Sequence, residues 1–202
     1  MPFVTPFTAK IAAWIAIPAA LIASGVIVSA ASYSAFSATT SNPTSNWQAG
    51  SVALTDDDNG VALFTVSPTV PLKPGSTGTN CIAVTSTGNL PSTVKLYGSN
   101  YATTNGLAAQ LSLTITQGTG GGFGTCTGFT PLATGSSVYS GTVAGFGGAA
   151  TTFATGVGSW APTGTASETR VFQFSYTLSP TALPTVMGGT AALGFTWEAQ
   201  NS

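Results

Sequence analysis

Carboxylate side chains are the groups in this sequence most able to bind metal or transfer protons, and the chain has only five. Three form the run Asp56-Asp57-Asp58, which Asn59 and Gly60 follow. A calcium loop needs spaced oxygen ligands and a glutamate about six positions after its glycine, where this sequence has Val66. Because Asn-Gly is a strong hairpin signal, we predict a solvent-exposed hairpin tip at residues 56–60, with adventitious calcium binding as the alternative.

The two glutamates do not form an evident catalytic pair. Glycoside hydrolysis needs two carboxyl groups facing one bond, and nothing in the spacing of Glu168, Glu198 and the aspartates brings two of them together. Glu168 and Arg170 share one strand face, so we predict an exposed ion pair of little energetic weight. The chain has no histidine, which excludes Ser-His-Asp, Cys-His and HExxH chemistry. We expect no catalytic, metal-binding or cofactor-binding residues.

The composition also excludes nucleic acid as a partner. Charged residues make up 4% of the chain, with 4 Lys and Arg against 5 Asp and Glu. Binding to phosphates needs several basic contacts, which this balance does not supply. An ordinary domain is about a quarter charged, so 34 threonines and 25 glycines must provide the polar surface here.

Cys81 and Cys126 are the only cysteines. In an exported chain an even count favours a disulfide, which would stabilise the fold by roughly 3 to 4 kcal/mol. Two thiolates without histidine cannot complete a tetrahedral zinc shell, so a metal site at these cysteines is less well supported than a disulfide. Two buried free thiols are the other alternative.

The N-terminus has the layout of an export signal. A head with one lysine precedes residues 11–28, an uncharged apolar run, and small residues follow it. We predict an apolar signal helix in residues 1–35, cleaved between Ala35 and Phe36. A membrane-spanning anchor is the alternative, and contact with a membrane is then expected only through the uncleaved segment.

The rest of the chain predicts an all-β domain over residues 48–202. Short runs rich in Val, Ile, Thr and aromatic residues alternate with Gly, Pro, Asn and Ser clusters. In residues 171–178, Phe172, Phe174, Tyr176 and Leu178 share one face. Such strands suggest an antiparallel β-sandwich, perhaps a jelly roll. The predicted strands are 48–55, 61–66, 80–86, 93–97, 109–116, 137–143, 170–178 and 191–199. Apart from strand 137–143, no conformation is predicted for the glycine-rich loops of residues 118–164.

Three segments resemble the TasA/camelysin family. The first is Tyr33-Ser34-Ala35-Phe36 with the later run Trp47-Gln48-Ala49-Gly50-Ser51-Val52-Ala53-Leu54, which is similar to the family's processing site and first strand. The second is Val70-Pro71-Leu72-Lys73-Pro74-Gly75 followed by the strand from Cys81 to Leu90. The third is the pair of C-terminal strands around residues 172–178 and 195–200.

The resemblance implies a jelly-roll β-sandwich that a SipW-type signal peptidase releases to the cell surface. In TasA-like members the N-terminal strand of one subunit completes a sheet of the next, which satisfies unpaired backbone groups at a sheet edge. The donor strand here would lie in residues 36–47, with Phe36, Ala38 and Thr40 on one face. The Pro43 ring weakens part of this segment as a hydrogen-bonding strand.

Three functions are therefore weighed for the chain. The first is an exported structural subunit of a surface fibre or biofilm matrix that assembles with copies of itself. The second is a non-polymerising surface adhesion module in which Trp47, Trp160 or the Gly/Thr loops would contact a polymer or another cell. Trp47, Trp160 and Trp197 could stack on sugars, but such residues are more often part of a core. The third is a camelysin-type secreted metallopeptidase, which the residues do not support because the chain lacks a zinc shell and a general base.

Overall fold

The computed structural model describes residues 48–66 and 69–201 of the chain. The predicted signal segment 1–35, the Ala35–Phe36 cleavage site, the donor segment 36–47 with Phe36, Ala38 and Thr40, and Trp47 lie outside the described residues. The described part is mainly β, as the sequence predicts. Its strands are β1 Leu54–Asp56, β2 Thr77–Ser86, β3 Ser92–Thr103, β4 Leu111–Thr119, β5 Thr130–Pro131, β6 Ser137–Thr142, β7 Val157–Trp160, β8 Glu168–Leu178 and β9 Ala191–Asn201.

The strands form two antiparallel sheets. One sheet has six strands in the order β1-β2-β8-β4, with β5 and β6 both paired to the far side of β4. The other has three strands in the order β7-β3-β9. From β2 to β4 and again from β6 to β9, the chain alternates between the sheets, so neighbouring strands in a sheet are distant in sequence.

The core lies between the two sheets. Phe174 of β8 is fully buried, and its ring centroid is 4.5 Å from that of Phe195 on β9. Phe172 of β8 lies 5.3 Å from Trp197 in the same way. These contacts use the inward face that the alternation in β8 predicts, because side chains two positions apart point to the same side of a strand.

Two short helices close one side of this core. Helix α1 spans Leu107–Gln110 and helix α2 spans Val143–Ala149, and single 3-10 turns occur at Phe153–Thr155 and Pro184–Val186. The Thr142 hydroxyl accepts a hydrogen bond from the Gly145 amide and so caps α2. Phe146 of α2 is fully buried, with its ring centroid 5.0 Å from Tyr139.

Several predicted strands differ from those observed. The predicted strand 48–55 is shorter and shifted: strand β1 is Leu54–Asp56, although the Ser51 and Ala53 carbonyls also accept backbone hydrogen bonds, and residues 61–66 form no strand. In residues 61–66 the Phe64 ring lies edge-on to the Tyr176 ring, with the two ring centroids 5.1 Å apart. The segment therefore packs on the core through its side chains and not through backbone pairing with another strand. The predicted strand 109–116 begins inside α1, which follows Asn105 and Gly106 in left-handed conformations. Strands β5 and β7 lie in the glycine-rich stretch for which no structure was predicted.

The predicted hairpin tip at residues 56–60 is half correct. A turn does form there: the Val61 amide donates to the Asp58 carbonyl at 3.0 Å, and Asn59 and Gly60 have φ of 52° and 78°. No second strand follows the turn, so the hairpin prediction is wrong. The reason is that residues 61–66 pack against the core instead of returning beside β1.

Candidate functional site: an apolar groove beside a free strand edge

Strand β9 is an edge strand along its whole length. Within the described residues it pairs only with β3, in a register from Ser92 opposite Asn201 to Thr103 opposite Ala191. Its other side therefore presents unpaired backbone N–H and C=O groups, which can template pairing with a further strand. None of its eleven residues is fully buried, although Leu193, Phe195 and Trp197 pack against the core.

An apolar groove of about 1220 Å³ opens beside the N-terminal half of β9. One wall consists of Ala191, Leu193 and Phe195 of β9. The facing wall is the inner side of the six-stranded sheet and its covering segments, with Leu111, Leu113, Tyr176, Leu178, Phe64 and Leu72. Lys73 is the only charged residue of the lining, so the groove suits a neutral, apolar occupant.

A loop between β8 and β9 forms the rim of the groove and leaves large apolar side chains in solvent. Leu183 is 58% exposed and Met187 is 76% exposed. The loop is held in place at the end of β3, where the Thr104 amide donates to the Thr190 carbonyl at 2.9 Å and the Asn105 side chain donates to the Met187 carbonyl at 2.9 Å. The loop thus places two large exposed apolar side chains at the rim of the groove.

A second, smaller cavity continues the opening along the same strand. It has a volume of about 190 Å³ and lies between β1 and β9, lined by Leu54, Asp56, Phe195 and Trp197 among others. Phe195 lines both cavities. The two cavities therefore follow β9 from Ala191 to Trp197, a length over which an extended segment can place alternate side chains inward.

The carboxylates are distributed over separate parts of the structure. Glu168 begins β8, and its Oε1 accepts hydrogen bonds from the amide and hydroxyl of Thr163 at 2.6 and 2.7 Å. These bonds lower the pKa of Glu168, with the Thr163 hydroxyl as the larger cause. Arg170 does not pair with it as predicted: its guanidinium carbon lies 5.8 Å from the centroid of the Trp160 ring.

Glu198 lies on the other sheet, on the outer face of β9. Its two oxygens accept from the Gln200 amide group and the Tyr97 hydroxyl, each at 2.8 Å. The bond from Gln200, followed by that from Tyr97, lowers the pKa of Glu198, and the same contact raises the pKa of Tyr97. Both glutamates are thus held as charged acceptors by neighbouring donors.

The aspartate run serves as a structural contact. The Asp57 carboxylate accepts from the amide of Ala83 in β2 at 2.8 Å and from the amide of Phe123 in the glycine-rich loop at 2.7 Å. Partial burial and then the contact with Asp58 raise the pKa of Asp56. Within residues 48–66 and 69–201, no group of three His, Cys, Asp or Glu side chains could hold a metal ion.

The predicted disulfide between Cys81 and Cys126 is present, with the two Cα atoms 5.2 Å apart. It joins fully buried Cys81 of β2 to the same glycine-rich loop that Asp57 binds. The loop itself folds back as a hairpin, because Gly118 and Thr119 of β4 pair with Pro131 and Thr130 of β5. Two independent links therefore fix this loop to β2.

The tryptophans do not form a polymer-binding surface in the described part of the chain. Trp160 is 5% exposed and belongs to the core, and Trp197 packs against Phe172 and Phe174. The indole N–H of Trp197 is buried with no hydrogen-bond acceptor. None of the helices in residues 48–66 and 69–201 is long and apolar enough to span a bilayer.

Sequence reasoning predicted a donor segment, which lies outside the described residues, and missed the groove. The lining residues come from segments that are far apart in sequence, and only pairing of the strands brings them together. A usable signal was present in residues 182–187, where Leu183, Val186 and Met187 occur in a loop that begins and ends with Pro and Gly. No protein-family model matches the chain, and no protein of curated function matches its sequence, so function is inferred below from the groove and its surroundings.

Proposed function

We propose that this chain is the exported structural subunit of an extracellular surface fibre or biofilm matrix, and that it assembles by strand donation. Residues 36–47 of one subunit would lie along β9 of the next. The observation that carries the proposal is the unpaired β9 edge beside an apolar groove of about 1220 Å³. The jelly-roll topology and the SipW-type cleavage after Ala35 belong to the same proposal, which assigns no enzymatic activity or cofactor.

The donor segment matches strand β9 in length and the apolar groove in pattern. Twelve extended residues span at most about 40 Å, and an eleven-residue strand such as β9 spans about 36 Å. Phe36, Ala38 and Thr40 would point into the groove, while Ser37 and Thr39 would face solvent. No side chain of the segment is charged, which suits a lining whose only charged residue is Lys73.

Strand donation also explains why the rim stays apolar. Burying the exposed parts of Leu183, Met187 and Val66 stabilises the assembly by about 25 cal/mol per Å² of apolar surface. Pairing along β9 supplies hydrogen bonds to its free N–H and C=O groups. Cleavage at Phe36 would free the donor, so processing of the signal would start assembly.

Electron microscopy of two purified chains tests the proposal. The chain beginning at Phe36 should form filaments by negative stain, and the chain beginning at Gln48 should stay monomeric. In the longer chain, Leu193→Lys should abolish filaments because it places a charge in the groove. Gln200→Lys is the matched control, since Gln200 is exposed on the outer face of the same strand and lines neither cavity, and it should leave filaments unchanged.

A peptide of residues 36–47 separates a docking defect from a folding defect. It should bind the chain beginning at Gln48 in a calorimetric titration, and it should not bind the folded Leu193→Lys variant. Filaments from the chain beginning at Gln48, or from Leu193→Lys, would overturn strand donation. Monomers from every chain, with no peptide binding, would favour the non-polymerising adhesion module.

A further inference from the structure

The second cavity, between β1 and β9, combines aromatic walls with a single carboxylate. Phe195 and Trp197 line it from β9, and Leu54 and Asp56 line it from β1. Leu54 and Asp56 are two positions apart and so lie on the same side of their strand. In the described part of the chain, Asp56 is the only charged residue of this lining, whereas Lys73 is the only one in the large groove. By charge complementarity, the second cavity suits an occupant that is both aromatic and cationic.

The Asp56 carboxylate is available to such an occupant. Asp56 is exposed, and within residues 48–66 and 69–201 it accepts only a long bond from the Asp58 amide at 3.4 Å. Of the basic residues there, Lys95 binds a carbonyl at 2.6 Å, Arg170 lies over an aromatic ring and Lys73 lines the large groove. Partial burial and the neighbouring Asp58 raise the pKa of Asp56. A bound cation would offset both, because it favours the charged carboxylate.

The donor segment begins with a residue of the required kind. Cleavage between Ala35 and Phe36 gives Phe36 a free α-amino group, which is mostly protonated at neutral pH. No side chain in residues 36–47 is charged, so this ammonium is the only charge of the segment. The cavity volume of about 190 Å³ also admits one aromatic ring, because an apolar cavity of about 150 Å³ accepts benzene.

The path of the chain determines the direction in which the donor would enter. The Ser51 carbonyl accepts a hydrogen bond from the Asn89 amide at 2.9 Å. Three residues after Asn89, Ser92 begins β3 opposite Asn201, the last residue of β9. Ser51 therefore lies at the Asn201 end of the sandwich, whereas the large groove opens at the Ala191 end. In a head-to-tail stack, the donor would enter at the Ala191 end and run antiparallel to β9.

Antiparallel pairing gives the donor a register that its sequence fits. With Phe36 opposite Trp197, residues 36–42 lie beside residues 191–197, and alternate donor side chains from Phe36 onward face the cavities. Pro43 then falls just past the first residue of β9, where its missing N–H removes no ladder hydrogen bond.

We propose that the second cavity binds the processed N-terminus of the neighbouring subunit, with the Phe36 ring between β1 and β9 and its ammonium paired with the Asp56 carboxylate. This inference rests on the proposed fibre function. The opposite direction of entry would place the ammonium near Lys73, which repels it. In an uncleaved chain Phe36 has a peptide bond in place of the ammonium, so the cavity selects processed subunits.

Titration calorimetry with two peptides of residues 36–47 tests the amine contact. One peptide has a free N-terminus and the other an N-terminal acetyl group, and each is titrated into the chain beginning at Gln48. Acetylation should weaken binding about fivefold, as expected for an exposed ion pair. Because only the peptide changes, a folding defect cannot imitate this result.

Asp56→Asn identifies the partner of the amine. It should weaken binding of the free peptide by the same factor, and acetylation should then cause no further loss. Asp58→Asn is the matched control, since Asp58 belongs to the same run but does not line the cavity, and it should bind both peptides as the wild type does. A free-amine peptide with Phe36→Ala tests the ring and should bind more than about tenfold more weakly.

The outcomes separate this inference from the fibre function. Failure of the free peptide to bind would overturn strand donation and this inference with it. Binding of the free peptide that is unchanged by acetylation or by Phe36→Ala would overturn the N-terminal site alone. An acetylation loss that persists in Asp56→Asn would also overturn that site, because the amine would then have another partner.

Discussion

Strands β8 and β9 have the same length and the same alternation of aromatic residues, but they differ in burial. Both have eleven residues. Strand β8 pairs on both sides, with β2 and β4, and its Phe172, Phe174 and Leu178 are at most 3% exposed. Strand β9 pairs only with β3 in the described part of the chain, and its Leu193, Phe195 and Trp197 are half-buried. The same pattern gives a fully buried core strand in one case and a half-buried edge strand in the other.

The difference follows from neighbours and not from composition. A central strand has its inward side chains covered by the strands on each side and by the facing sheet. An edge strand lacks one neighbour, so water reaches its inward side chains along the free edge. In this protein the opening coincides with an apolar groove, and the unpaired backbone and the uncovered rings thus occur together.

The largest expected effect is on stability when one aromatic residue of each strand is truncated. Phe174→Ala should lower the free energy of unfolding by about 3–5 kcal/mol, because it leaves a cavity in a fully buried site. Phe195→Ala should cost only about 1–2 kcal/mol, since part of its side chain already contacts water. Urea unfolding of the chain beginning at Gln48 measures both. An equal loss of unfolding free energy in the two variants would contradict the partial exposure of Phe195 on β9.

Much of the fold could be predicted from alternation. The inward face of β8 was predicted residue by residue, because period-2 hydrophobicity depends on local sequence alone. The same rule failed for residues 61–66, where Leu63 and Phe64 are apolar but the Asn80 side chain donates to the Leu63 carbonyl at 2.6 Å in place of a strand ladder. Local pattern does not determine whether an apolar run finds a pairing partner.

The candidate site was less accessible to sequence reasoning. Whether β9 is central or at an edge depends on which strands pair with β3, a property of contacts that span the chain. The disulfide was predicted because only two cysteines were available. The conformation of the glycine-rich stretch was not predicted. Glycine adopts positive φ readily, as Gly120 and Gly121 do here, and such residues fit many different turns.

A smaller effect depends on pH and is common to the two strands. Glu168 of β8 and Glu198 of β9 both have a lowered pKa, so each stabilises the fold above its ordinary value of 4.5, and this stabilisation is lost as pH falls through the lowered pKa. Thr163→Val and Tyr97→Phe remove one hydrogen-bond donor each. Both should lower Tm slightly at neutral pH and have no such effect at about pH 2, where the carboxyls are protonated.

The comparison of each variant with wild type at the same pH is the control. The raised pKa of Asp56 acts in the opposite direction, because its folded-state protonation is favoured as pH falls, but it is common to all three proteins and cancels. An equal loss of Tm at both pH values would show that the Thr163 or Tyr97 contact stabilises by packing and not through the charged carboxylate.

The smallest expected effect concerns the buried indole N–H of Trp197, which has no acceptor. Trp197→Phe removes ring surface that packs on Phe172 and Phe174, which destabilises the fold, but it also removes an unsatisfied donor whose burial costs about 1–3 kcal/mol. The two terms oppose each other, so the free energy of unfolding should change by less than about 1 kcal/mol. Trp197→Ala, which loses the packing without a replacement ring, should cost far more in the same urea titration. If Trp197→Phe were as damaging as Trp197→Ala, the indole N–H would have a hydrogen-bond acceptor in solution.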